Sequence, residues 1–140
     1  MSLPQRVKHF YERVSVEREG ALVLLPELYA DDVRFVNPVV DKRGLQNFIE
    51  QWHLAFKKYK VFEFKNVEVT GDDTLFSLTY SMDLRFSFGP IFKSDMATDC
   101  HAREGKVFFC RDYFDPLGSV VAPFPLLDKL YRAIFSHLVA

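Results

Sequence analysis

The sequence predicts an α+β domain in which a strongly curved antiparallel sheet wraps N-terminal helices and a further helix ends the chain. Three observations predict it. Apolar residues recur at helical spacing as far as Lys58, alternate with a period of two between Val61 and Asp115, and return to helical spacing beyond Pro123. Turn signals at Gly71-Asp72-Asp73, Gly89-Pro90 and Glu104-Gly105-Lys106 cut the middle section into strands. A chain of 140 residues suits one domain, 1–140, with a core of its own.

The elements follow in order. Val7, Phe10, Tyr11 and Val14 set a helix over Pro4 to Val16, with Pro4 in its first turn and Gly20 closing the segment. A short second helix is expected over Ala21 to Tyr29, its start shifted or kinked by Pro26. Val33 to Val36 reads as a short strand stopped by Asn37-Pro38. The third helix, Gly44 to Lys58, carries Leu45, Phe48, Ile49, Trp52 and Phe56 on one stripe. Val61 to Val69 is a strand, and Leu75 to Phe88 a long one in which Phe76, Leu78, Tyr80, Met82, Leu84, Phe86 and Phe88 oppose Ser77, Thr79, Ser81, Asp83, Arg85 and Ser87. Lys93 to Arg103 forms a hairpin with Lys106 to Asp115. A three-residue loop at Glu104-Gly105-Lys106 would set Cys100 opposite Cys110 and Thr98 opposite Asp112. From Pro123 an amphipathic helix could lid or complete the core.

Composition narrows the function. Net charge is −1 and the cations form no stripe, which argues against nucleic acid as a partner. No apolar run reaches membrane-spanning length and no signal peptide is evident, so a cytoplasmic location is expected and no membrane partner. Cys100 and Cys110 are too few for a disulfide framework and lack zinc-ligand spacing, so no metal is expected, and no cofactor motif is present. Fifteen Phe and six Tyr exceed what so small a core needs, which points to a lined pocket, a subunit interface, or both.

The chemistry centres on Arg111-Asp112-Tyr113-Phe114-Asp115. Alternation puts Asp112 on one face with Phe108, Cys110 and Phe114, and an acid among aromatics is costly unless it is paired or used. The plainer reading has Asp112 pairing with an arginine or capping an amide at a strand end.

The order of elements, the segment Leu28-Tyr29-Ala30-Asp31-Asp32-Val33-Arg34-Phe35-Val36-Asn37-Pro38-Val39 and the late Arg-Asp-Tyr-Phe-Asp motif together resemble the nuclear transport factor 2-like superfamily, with its SnoaL-like, ketosteroid isomerase and limonene epoxide hydrolase branches. The resemblance implies a cone, a strongly bent sheet whose concave side and covering helices enclose an apolar pocket. It sets Asn37 where isomerases of that superfamily carry an aspartate base, and an amide cannot shuttle a proton. Tyr11 is the candidate counterpart of their first-helix tyrosine, with Phe10 fitting about as well. The epoxide hydrolase pattern is matched at Asp112 and Asn37. Its Arg-x-Asp falls on Ser81-Met82-Asp83 and its tyrosine on Phe35, so two functional groups are missing.

Asp83 has two readings. Strand alternation puts it on the solvent side with Ser81, whereas the family alignment turns it inward and buries the aromatic face of that strand in a dimer. The candidate catalytic set is therefore Asp112, Asn37 and Asp83. Tyr11, Phe35, Trp52 and Ser81 are expected to line the ligand site, as are Met96, Phe108, Cys110 and Phe114. Two functions compete: cofactor-independent acid/base chemistry of isomerase, cyclase or hydrolase type on a small hydrophobic molecule, and a noncatalytic binder or dimeric interaction module. A homodimer through the outer sheet face, with Arg111, Tyr113 and the Phe76 to Phe88 face in contact, is expected in either case.

Overall fold

The computed structural model describes residues 1–139. Helix α1 (Leu3–Glu17) starts at Ser2, whose hydroxyl accepts from the Gln5 amide, and buries Val7, Phe10 and Val14 completely. It ends at Arg18, not at Gly20: Arg18 takes φ 52° and its amide reaches back to the Val14 carbonyl. The second helix is shorter than expected. Arg18–Leu24 is a 3-10 helix and only Leu25–Leu28 is α-helical (α2). Pro26 has no amide hydrogen to return to Leu22, and the Leu22 carbonyl is taken instead by the Leu25 amide in a tighter turn.

Strand β1 (Tyr29–Asn37) begins four residues before the expected Val33 and is followed by an unforeseen edge strand, β2 (Val40–Arg43). Gly44, with φ 101° and its amide on the Val33 carbonyl, admits α3 (Leu45–Lys58). The sheet continues with β3 (Val61–Gly71), β4 (Leu75–Arg85), β5 (Phe92–Arg103) and β6 (Lys106–Tyr113). Its order is β2-β1-β6-β5-β4-β3, with every pairing antiparallel except β1 with β6, which is parallel. The strand ladder is open, and α1 and α3 fill the concave side. Two further helices close the chain, α4 (Pro116–Val121), which the sequence reading missed, and α5 (Pro125–Val139). The sequence cue for α4 is Asp115-Pro116: Asp115 accepts from the Gly118 amide as an N-cap, and proline suits the first helical position.

Two bulges bend the sheet and reset which residues face inward. On β3 the buried residues pass from Phe62 and Phe64 to Val67, an even-to-odd change made by one extra residue near Asn66, which sits at φ 55°. On β6 Val107 opposes Ala102 and Phe109 opposes His101, so Phe108 is the extra residue. The hairpin loop itself is corrected to two residues, Glu104 and Gly105, both at positive φ, with Arg103 opposite Lys106. The shorter loop and the bulge compensate. Cys100 still opposes Cys110 and Thr98 still opposes Asp112, as the three-residue loop would have had them.

The outer face of the sheet differs from the expectation for a dimer contact. Phe76, Leu78 and Tyr80 lie in the core, and Met82 and Leu84 pack against it, so the apolar face of β4 is concave and not available for an interface there. The convex side carries polar pairs instead: Ser77 donates to Asp99 at 2.6 Å and Ser81 to Asp95 at 3.1 Å. Much of the aromatic surplus goes inside, although Phe86, Phe88, Tyr113, Phe124 and Phe135 stay exposed. Trp52 of α3 meets the rings of Phe10, Tyr11, Phe48, Phe56, Phe62 and Phe64 with centroids 5.3–6.2 Å apart. Such pairs add about 0.5–1.5 kcal/mol each beyond the area they bury.

Candidate functional site

Between α3 and the concave face of the sheet lies a cavity of about 730 Å³, walled mainly by aromatic and aliphatic side chains. Each wall follows from strand parity. Tyr80, Met82 and Leu84 come from β4, Ser94 and Met96 from β5, and Cys110 and Asp112 from β6, with Phe114 just beyond it. On the other side stand Trp52 of α3, Tyr11 of α1 and Phe35 of β1. Pro116, Ser119 and Val120 of α4 border the opening, where Ser94 donates to Ser119 at 2.7 Å.

Among the described residues Asp112 is the only carboxylate in this lining. Protein encloses it on most sides and its remaining surface opens into the cavity. Burial pushes its carboxyl up to about 6, opposed in part by a hydrogen bond from Thr98. Thr98 Oγ1 donates to Asp112 Oδ1 at 2.7 Å and is itself 2.8 Å from the Tyr80 hydroxyl. The Tyr11 ring packs beside Tyr80, with centroids 5.1 Å apart. The result is a polar thread, Tyr80, Thr98, Asp112, through apolar surroundings. Burial pushes both phenols well above their usual range, so they stay protonated donors. With an ionised Asp112 the thread runs one way: Tyr80 donates to Thr98 and Thr98 to the carboxylate.

Asn37 stands at the mouth. The parallel register of Val36 with Arg111 brings Asn37 level with Asp112, the next residue along the neighbouring strand. Its Oδ1 accepts from the Val39 and Val40 amides, both at 2.8 Å, in the turn that starts β2. Two backbone donors fix which end of the amide is oxygen, leaving the NH2 group as the end free for a ligand.

Of the residues read from the sequence, Asp112, Asn37, Tyr11, Phe35, Trp52, Met96, Cys110 and Phe114 line the cavity. Three do not. Asp83 is buried on the convex side, where Lys65 at 2.8 Å and Lys93 at 3.4 Å grip it. Burial pushes its carboxyl up, but the two lysines outweigh that and hold it below the usual carboxylate range. Ser81 shares that side, as plain alternation required and the family alignment did not. Phe108, the bulge residue, turns outward beneath the Arg103 guanidinium, 4.5 Å from its ring centroid. Tyr80 and Thr98 join Asp112 in the candidate site, and the sequence alone had not put them there. The hairpin register already placed Thr98 opposite Asp112, and that pairing was the signal for it.

The neighbouring elements lock the frame. Arg18 donates to the Phe56 and Tyr59 carbonyls, both at 2.7 Å, and so caps the C-terminus of α3 from the end of α1. Cys100 and Cys110 are free thiols buried beside Asp112, and burial raises both thiol pKa values. Among the described residues no group of three or more His, Cys, Asp or Glu side chains gathers as a metal site. No helix is long and apolar enough to cross a membrane.

With this geometry, solved structures of the same architecture are numerous. A candidate polyketide cyclase from Pseudomonas putida KT2440 superposes with a TM-score of 0.73 at 13% identity, covering 88% of this chain and 98% of its own. A protein of ketosteroid isomerase-like fold from Catenulispora acidiphila, solved in complex with trimethylamine, gives 0.71 at 16% identity over 86% of this chain and 92% of its own. An NTF2-like protein from Anabaena variabilis gives 0.63 at 18% identity, covering 79% and 84% respectively. No family model and no curated protein matches the sequence. The chain has the nuclear transport factor 2-like fold, the cone that its motifs resembled.

Proposed function

We propose that this protein binds a small hydrophobic molecule in the cone and acts on it by cofactor-independent acid/base catalysis, with Asp112 as the proton-transferring group. The observation that carries this reading is the carboxyl group of Asp112, set in an aromatic cavity with a titration point near 6 and tied to Thr98 and Tyr80. A group titrating there exchanges a proton at neutral pH in either direction. The cavity supports a compact apolar substrate with one polar function, which would meet Asp112 and the Asn37 NH2. Isomerisation, aldol-type cyclisation and hydration each need such a group, and the candidate cyclase of similar fold is compatible with the second.

One observation favours a second reading, a binder without chemistry: with Asn37 in the lining and Asp83 on the convex side, the cavity has no second carboxylate to complete an acid/base pair. The protein is further proposed to be cytoplasmic and homodimeric. The deciding experiment screens small cyclic ketones, enones and epoxides for binding and turnover with the parent protein and Asp112→Asn. Turnover lost in the variant while binding persists supports catalysis. Binding without turnover in both proteins supports the second reading.

A further inference from the structure

Helix α5 carries Leu126, Leu127, Leu130, Ile134, Phe135 and Leu138 on a stripe of helical spacing, yet none of its residues is buried. A helix of 15 residues is marginal in water by itself and is normally held by burying such a face. Its packing partner is α4, and the joint between them is tied. Ser119 is bonded to Ser94, Asp115 accepts from both Gly118 and Tyr131, and backbone hydrogen bonds run through Ala122, Phe124 and Asp128. The stripe is therefore held outward and not over its own cavity.

A second apolar surface is equally bare. Val39, Leu54, Phe86 and Val120 border the cavity and are 76%, 47%, 42% and 56% exposed. The chain exposes 8505 Å² in all, whereas a compact monomer of 16.3 kDa exposes about 7,500 Å², a surplus of roughly 1,000 Å². A stable interface of standard size buries about 800 Å² on each partner.

We infer that α5 of one protomer lies across the cavity mouth of a second copy, and that the contact is made twice about a two-fold axis. The surplus area is enough to supply one protomer's share of such an interface, and a single chain supplies both faces, which is what a self-complementary contact requires. A membrane surface fits less well, because α5 carries only two cations, Lys129 and Arg132, and Arg132 is paired with Asp128 at 3.1 Å. The partner's helix then roofs the cavity, so the ligand site is complete only in the dimer. The dimer itself does not depend on the proposed reaction; only the roofing role rests on the cavity being the ligand site.

The test combines sedimentation velocity of the whole chain at micromolar concentration with paramagnetic labelling. A nitroxide on Lys129→Cys in unlabelled protein, mixed with ¹⁵N-labelled protein that carries no nitroxide, is expected to broaden the amide signals of Val39, Leu54 and Phe86. Cys100 and Cys110 are buried and escape the label. The double variant Leu130→Asp/Ile134→Asp is expected to weaken dimerisation on the order of 100-fold while retaining the circular dichroism of the sheet, since α5 packs on α4 and contributes no buried residue to the sheet's core. A monomeric parent protein would overturn the inference. So would a dimer that the double variant leaves intact, mixed dimers in which the Val39, Leu54 and Phe86 signals stay sharp, or monomers that co-sediment with phosphatidylcholine vesicles. The Asp112 titration, read on parent and double variant alike, judges the proposed reaction separately.

Discussion

Asp112 gives the fold a pH dependence opposite in sign to that of its paired carboxylates. Its carboxyl titrates near 6 in the fold against about 3.9 unfolded. Between those values the folded state binds the extra proton, so the contribution to stability is fully present below about pH 4 and is lost as pH rises through 6. At pH 8 the ionised group costs up to roughly 3 kcal/mol. Asp112→Asn is therefore expected to raise the melting temperature at pH 8 and leave it nearly unchanged at pH 4, which thermal denaturation at the two pH values would check. Thr98→Val removes the hydrogen bond that favours the carboxylate, so the Asp112 titration should move above 6 in a ¹³C NMR titration, with about 1–3 kcal/mol of stability lost. Asp83, by contrast, belongs to the convex surface. Asp83→Asn should leave ligand affinity within about twofold and cost roughly 1 kcal/mol, because its lysine partners are largely solvated.

At the level of elements, the long periodic segments were the legible ones. The stripe on α3 set Trp52 on the correct face, and alternation along β4 turned Tyr80 and Met82 inward where the dimer expectation had them outside, because burial on one side leaves a period that a single chain displays. What stayed hidden depends on local backbone geometry: the 3-10 turn forced by Pro26, the edge strand β2, and the bulges at Asn66 and Phe108. An extra residue in a strand has no compositional mark, and Phe108 was assigned inward by counting from Asp112 without a bulge. Gly71 shows how strictly such geometry can be held. With φ 117°, an added Cβ would lie 2.4 Å from the Leu75 carbonyl oxygen, a backbone atom that cannot swing away. Gly71→Ala should destabilise the β3–β4 hairpin by more than about 2 kcal/mol, measurable by denaturant unfolding.

For the molecule as a whole, the cone was readable from the order of helix, strand and helix, and the cavity from the aromatic surplus. The polar thread was only half readable. Its acid is legible in strand alternation and the Arg-Asp-Tyr-Phe-Asp motif, and hairpin register sets Thr98 opposite it, whereas Tyr80 reads as part of the apolar face of β4, since a phenol's packing hides its hydroxyl. The buried thiols provide a global check on the same interior. Cys100 and Cys110, facing each other across β5 and β6, should resist Ellman's reagent in native protein and react promptly once it is unfolded without reductant. Fast reaction in native buffer would mean that the cone interior opens readily, and silence after unfolding would mean a disulfide.

The two-residue turn and the bulge at Phe108 also carry a lesson for comparing this hairpin with others. A chain with one more turn residue and no bulge delivers its acid to the same point in space, so a loop-length difference here is invisible at the site. Such a pair of sequences aligns correctly only with two opposite gaps, one at the turn and one a few positions later. An ungapped comparison still matches Asp112 and misassigns the stretch between them. Conversely, deleting Phe108 alone takes out the unpaired residue and leaves Val107 opposite Ala102 and Phe109 opposite His101, so it straightens the strand while Asp112 still meets Thr98 inside the cone.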